Sequence, residues 1–394
     1  MLRALGLATA DGLLLRAGEL LFCDDKRDLI VYQLRLSPGG EPTNVRRFGG
    51  PLLPAIERMI EIVSDRIERS PILLPSGQQI DLADLPERPV REAIVNALAH
   101  RDWRIPEPIA IEQSPALLVV NSPGPLVPGV TVENILAHPS KPRNLVLTEA
   151  VRKLGLAEQA GVGVDRMYRD MIRGGHRPPT ITDTGSVRVS LVGGAPNKPV
   201  ARYIATLPPK PADDVDAMLV LFTLLSERTV TAPKVAPLLQ KPIEEAQAVL
   251  RELATDDVGM LETTRQTASR HNPTYRFRES ALRELGTAVS YRRRTADEID
   301  RKVIATVREI GKVTNGVLQA LFDVRVERAS RILADLVERE ILIKTSAHER
   351  GPGVTYGPGP AFPKQRNAKR RERDDTELEG QLTLGSEASD TAMS

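Results

Sequence analysis

With a single cysteine, Cys23, in 394 residues, the sequence can form no intramolecular disulfide and no cysteine-rich zinc module. Its five histidines show no pairing at metal-ligand spacing. Aromatic residues make up only 3% of the chain, which argues against single-strand binding that stacks each base on a ring. No run approaches the ~18 apolar residues of a membrane span. The first apolar stretch is broken at Asp11 and Arg16, before a signal-peptide core is complete. A soluble, cytoplasmic protein with no membrane partner is therefore expected. Charge of one sign is also missing: 54 Lys+Arg against 52 Asp+Glu leave +2, so any nucleic-acid affinity must come from local patches. A Gly-x-x-x-x-Gly-Lys-Ser/Thr phosphate loop is absent as well, which excludes a translocating helicase of the common superfamilies.

What is present is a chain long enough for two to four domains, with 31 prolines that mark its boundaries. Residues 1–50 read as short helices at Leu2–Leu7 and Ala17–Phe22 and a strand at Leu29–Leu36, resembling the end of a domain. From Leu52 to Arg69 apolar residues recur at helical spacing, and a second helix covers Val90–Arg101. In it Glu92, Asn96 and His100 lie at i, i+4 and i+8, spanning about 80° of one face opposite Val90, Ile94, Ala97 and Leu98. Such a stripe either meets water or lines a pocket. A hairpin follows at 109–121, then a Pro/Gly-rich loop at 121–130 and a short helix near Val132–Leu136. Further helices are expected at Leu145–Leu154 and Val164–Arg173, with glycines between them and strands at Thr180–Leu191 after them. Residues 196–211, with five prolines, read as a linker.

Beyond the linker, two units repeat the order helix, helix, helix, hairpin, the order of a winged helix-turn-helix. They are placed at 212–290 and 295–360, with a charged, disordered tail at 361–394 whose basic half, Lys364–Arg373, precedes an acidic one. In the second unit Arg325, Arg328 and Arg331 step three apart at the start of the third helix, which suits the major groove of double-stranded DNA. The third helix of the first unit begins with acids, so its contribution to DNA would come from wing arginines, Arg265, Arg270 and Arg276. Winged helices also dock proteins or dimerise, and a homodimer on paired half-sites is expected.

Three ordered motifs carry a resemblance: Arg91-Glu-Ala-Ile-Val-Asn-Ala-Leu-Ala-His-Arg-Asp-Trp103, Asn121-Ser-Pro-Gly-Pro-Leu126 and Gly161-Val-Gly-Val-Asp-Arg-Met167. Together they resemble the bacterial ATP-binding, transcriptional-regulator-like proteins that join a Schlafen-type Alba-like domain to a divergent GHKL (Bergerat) ATPase fold. Members often carry a helicase label and a winged-helix C-terminal region. The resemblance covers residues 1–195 in detail. It implies an α+β chain, with 1–50 the remnant of an Alba-like domain, 51–195 a Bergerat-type α/β sandwich, then two winged helices. Relatives usually carry a complete Alba-like domain ahead of 1–50, so the start is expected to be either shortened or misassigned.

By the same resemblance the cofactors are ATP and Mg²⁺. Asn96 would hold the metal, Glu92 would act as the catalytic residue that orients or deprotonates water, and His100 would sit beside them. Asn121 and Gly124 would form the adenine-side box, Gly161 and Gly163 the glycine box at a helix start, and Lys141 and Arg143 the lid cations. Asn121 stands where such enzymes carry an aspartate, and an amide accepts the adenine amine less strongly than a carboxylate does. The function implied is a DNA-binding transcriptional regulator with a divergent nucleotide-binding module. Two others stay open: a slow Mg-dependent ATPase acting on DNA, and a protein-interaction scaffold with a vestigial pocket.

Overall fold

The computed structural model describes residues 1–74, 76–156, 163–293, 296–322, 324–346, 351 and 353–363. It divides into two compact units, Met1–Arg293 and Arg294–Ser394.

The first unit begins with α1 (Arg16–Phe22), β1 (Ile30–Arg35), β2 (Pro42–Phe48), α2 (Leu52–Ser64), β3 (Arg69–Leu73), β4 (Gln79–Ala83) and α3 (Glu87–His100). It continues with β5 (Ile109–Ser114), β6 (Leu117–Pro123), α4 (Leu145–Lys153), α5 (Gly163–Arg173), β7 (Thr180–Asp183) and β8 (Ser186–Val192). Six strands form one mixed sheet in the order β2-β1-β5-β6-β8-β7, with β1 parallel to β5 and every other pair antiparallel. Strand alternation gives the sheet its apolar face. Ile109, Ile111, Leu118 and Val120 point into a core shared with Ile56 and Met59 of α2, Ile94 and Leu98 of α3, and Met167 of α5.

Several expectations change here. Residues 1–50 do not stand apart as a remnant: Leu7, Leu20, Leu21, Ile30 and Tyr32 lie in that same core, and β1 pairs with β5 inside the sheet. Leu2–Leu7 is a run of turns rather than a helix, as is the segment near Val132–Leu136. The stretch 196–211 is not a bare linker either, because α6 (Lys198–Thr206) and α7 (Pro209–Ala212) occupy it and α6 buries Val200, Tyr203 and Ile204. Its prolines are compatible with helix because Pro199 and Pro209 fall in first turns, where the missing N–H has no partner to lose.

The rest of the first unit holds α8 (Val215–Ser226), α9 (Ala232–Leu239), α10 (Ile243–Leu253), the two-stranded ladder β9 (Leu261–Thr263) and β10 (Tyr275–Phe277), and α11 (Glu279–Leu285). A second core, built on Met218, Leu221, Leu250, Tyr275 and Phe277, holds these elements together.

The second unit holds α12 (Ala296–Ile310), β11 (Val313–Thr314), α13 (Asn315–Phe322), α14 (Val326–Glu338), β12 (Leu342–Lys344) and β13 (Thr355–Pro358). The strands order as β11-β13-β12, antiparallel, over a core that includes Val307, Leu318, Leu333 and Leu336. Arg339 grips Asp300 through two bonds of 2.6 and 2.7 Å and fixes the end of α14 to α12. The expected tail lies outside the described residues from 364 onward.

Candidate functional site

Helix α3 is nearly enclosed. Between Arg91 and its C-terminus the positions not fully buried are Glu92, Asn96 and His100, and all three line one cavity. The polar stripe therefore faces the cavity and is only partly exposed. The cavity holds about 180 Å³ accessible to the centre of a water molecule, and its remaining walls come from β6, α4, the start of α5, β7–β8 and the loop 124–144.

Asn96 donates from Nδ2 to Oε1 of Glu92 at 2.9 Å, which leaves the Asn96 oxygen as an acceptor. Burial pushes the Glu92 carboxyl above the usual range, against the pull of the Asn96 bond and of the Arg166 charge. Burial, reinforced by the Arg143 charge, holds the His100 imidazole below its ordinary value, which favours the neutral ring. At the first residue of α5, a Cβ on Gly163 would overlap the Glu92 carboxylate. Only glycine lets this helix start approach the α3 stripe so closely.

The other predicted residues divide. Lys141 lines the cavity and donates to the Pro128 carbonyl at 2.9 Å. Arg143 does not line it. Arg143 instead donates to the carbonyls of His100 at 3.0 Å and Pro125 at 2.6 Å, while Asn144 donates to those of Ala99 and Arg101. The pair satisfies carbonyls that the end of α3 leaves open. Asn121 departs from expectation in the same way: its oxygen accepts from Ser186 Oγ at 3.1 Å, and the lining residues of β6 are its neighbours Val120 and Ser122. The two-residue strand period puts 120 and 122 on one face and 121 on the other. Gly124 bridges Ser186 just past β6 at φ +98°, where a Cβ would meet that of Asp102 at 2.7 Å. Gly161 lies outside the described residues.

Among the polar lining residues that sequence reasoning missed are Ser122, His138, Ser140, Thr148, Arg152 and Asp165. Thr148 and Arg152 are four apart on α4, so helical period alone would have put them on one face. The Arg152 Nε is buried with no hydrogen-bond partner among the described residues. Asp165 is pushed up to about 6, first by burial and then by the charge of Asp216.

Among the candidate nucleic-acid contacts, Arg265 and Arg270 are exposed in the β9–β10 loop. Arg276 sits opposite Glu262 in the ladder and is bound to it at 2.8 Å, so its charge is engaged at home. Arg325 is exposed just ahead of α14, and Arg328 and Arg331 follow on its exposed face. No helix among the described residues is long and apolar enough to cross a membrane, and no group of three or more His, Cys, Asp or Glu is placed to hold a metal ion.

Comparison with known proteins bears on the sheet and the cavity. Among solved structures the chain is similar to the DIP2311 protein from Corynebacterium diphtheriae, with 30% identity and a TM-score of 0.64. The match covers 73% of this chain and 59% of that one, so this chain spans well under two thirds of its relative. No curated protein matches. Residues 106–191 match a family model described as "Putative ATP-dependent DNA helicase recG C-terminal". That span takes in β5, β6, the loop, α4, α5, β7 and most of β8, and thus all of the cavity except the residues of α3. The mixed α+β first unit accordingly contains an ATPase-like domain.

Proposed function

We propose that this chain is a DNA-binding transcriptional regulator of the Schlafen/Alba-linked kind, in which a divergent Bergerat-type module binds a nucleotide and winged helices hold duplex DNA. One observation carries the nucleotide half: the Glu92, Asn96 and His100 stripe faces a cavity that also contains Lys141, Arg152 and the start of α5 at Gly163. The donor set fits Mg-ATP. Asn96 and Glu92 supply oxygens suited to a hard divalent ion. Lys141 and the unpartnered Arg152 Nε supply positive charge for phosphates, and the α5 start supplies backbone N–H groups. Bound there, the ion would neutralise phosphate charge. Glu92 and Asn96 would hold it, while the apolar strand residues Val120, Val187 and Val189 would exclude water from the base.

The DNA half rests on topology and charge. In the second unit three helices and a hairpin follow in winged-helix order, with the Arg325, Arg328 and Arg331 series at the start of the third helix. The same reading makes the protein cytoplasmic and dimeric on paired half-sites. The deciding measurement is a thermal-shift titration with ATP and Mg²⁺. A midpoint rise that saturates with nucleotide is expected, and no shift at millimolar nucleotide would sink the reading.

A second reading, slow ATP hydrolysis with Glu92 as the base, is favoured by the raised Glu92 carboxyl, since a base poised nearer neutrality accepts a proton more readily. Turnover in Glu92→Gln equal to that of the wild type would remove it.

A further inference from the structure

The loop 124–144 contributes ten of the cavity's lining residues, from Pro125 to Lys141. Its mid-section is held from outside the ATPase-like domain. Gln240, at the end of α9, accepts from the Leu136 N–H at 2.7 Å and donates from Nε2 to the Val132 carbonyl at 2.8 Å. One side chain thus clamps two backbone groups of the loop, more than a hundred residues away in sequence. Leu136 lines the cavity and also packs against the second core, so the loop is shared between the two cores.

The backbone at Gln240 does not favour a side chain there. It is left-handed, φ 55° and ψ 38°, a helix-ending conformation in which glycine is the usual residue. The next residue, Lys241, is ion-paired with the buried Asp216 of α8, and the charge of Asp216 reaches Asp165 on the cavity wall. The α9–α10 turn therefore touches the cavity twice, at its loop through Gln240 and at the α5 wall through Lys241 and Asp216.

We propose that Gln240 is the positioning residue of the cavity: by clamping Val132 and Leu136 it holds the loop closed over the ligand, so that ligand occupancy and the packing of the α9–α10 turn are coupled. Taking Mg-ATP as the ligand, this rests on the nucleotide reading above. Opening the loop lowers the fraction of molecules competent to bind, and apparent affinity falls by that fraction. In the other direction, a ligand that holds the loop shut makes Gln240 and its helix harder to displace.

Glycine separates positioning from mere support. Gln240→Gly removes the clamp while suiting the left-handed backbone, so the ligand-free melting temperature should stay within a few degrees of wild type. In the variant, with the whole chain present, hydrogen exchange at the Leu136 amide should accelerate about tenfold. Mg-ATP affinity, read by thermal shift, should weaken about tenfold. Protection of residues 232–253 on adding Mg-ATP, present in wild type, should vanish. Unchanged exchange at Leu136, or faster exchange with unaltered Mg-ATP affinity, overturns the positioning role and leaves the nucleotide reading intact. A wild-type protein that shows no Mg-ATP shift overturns the nucleotide reading and the coupling together.

Discussion

Helices α10 and α14 occupy the same slot, third in a run of three helices ahead of a hairpin, yet they present opposite faces. The first turn of α10 exposes Glu244 and Glu245, and its other side buries Gln247, whose Nε2 donates to the Tyr275 hydroxyl at 2.7 Å. Around the start of α14 the exposed residues include Arg325, Arg328 and Arg331, and the buried ones, Ala329, Leu333 and Leu336, are all apolar. A shared topology thus serves two ends. In the first unit it makes a structural block beside the cavity; in the second it leaves the arginines around the start of the helix facing outward.

The test that would most directly break this contrast is duplex binding. Arg328→Ala combined with Arg331→Ala should weaken binding about 100-fold near 50 mM salt and lower the salt slope by about two, read by fluorescence anisotropy. Glu244→Ala with Glu245→Ala should change affinity by less than about twofold. Equal effects from the two pairs would erase the distinction. A smaller effect sharpens the structural side: Tyr275→Phe strands the buried Gln247 amide and should cost about 1–3 kcal/mol in urea unfolding.

The smallest expected effect concerns the acidic end of α8. The Asp165 carboxyl is raised from its ordinary 3.8 to about 6, so its contribution to stability is fully present below its unfolded value and lost as pH rises through about 6. Asp165→Asn should therefore add about 1–2 kcal/mol above pH 6 and nothing measurable below pH 4, flattening the profile between. An unaltered pH profile would show that neither burial nor the charges of Asp216 and Asp214 raise the Asp165 carboxyl.

Much of this contrast was legible in the sequence, and the reason is periodicity. Helices α10 and α14 carry regular apolar spacing and α8 a continuous apolar run from Ala217 to Phe222, which predict helices at Pro242–Thr255, Val326–Glu340 and Val215–Ser226, and the structure places each within two residues of those bounds. The α3 stripe was legible for the same reason, although nothing local could say that it faces a cavity. The ladder β3–β4 escaped notice because each strand buries only one residue, and β2 because its residues are exposed on both faces and show no alternation. Helix α6 was hidden by proline content, since position within the first turn matters more than count. Asn121 was misplaced by one residue in a strand, which is enough to move a side chain through the sheet. Arg152, Asp165 and Gln240 could not be joined to the site from sequence, because their neighbours are distant in the chain.

The same loop can also be viewed as a replaceable part. Lys141 bonds back to Pro128, and the adjoining Arg143 bonds to Pro125, so the segment 128–141 leaves and returns through a narrow neck. Its conformation is set at that neck, by Asn134, which accepts from the Thr131 N–H and donates to the Gly129 carbonyl, and by one outside side chain, Gln240, with no strand or helix running through it. For protein engineering this makes 129–140 a cassette. Segments of other composition could be exchanged there to change what the cavity accepts, provided that Lys141, Arg143 and the two backbone groups held by Gln240 keep their places.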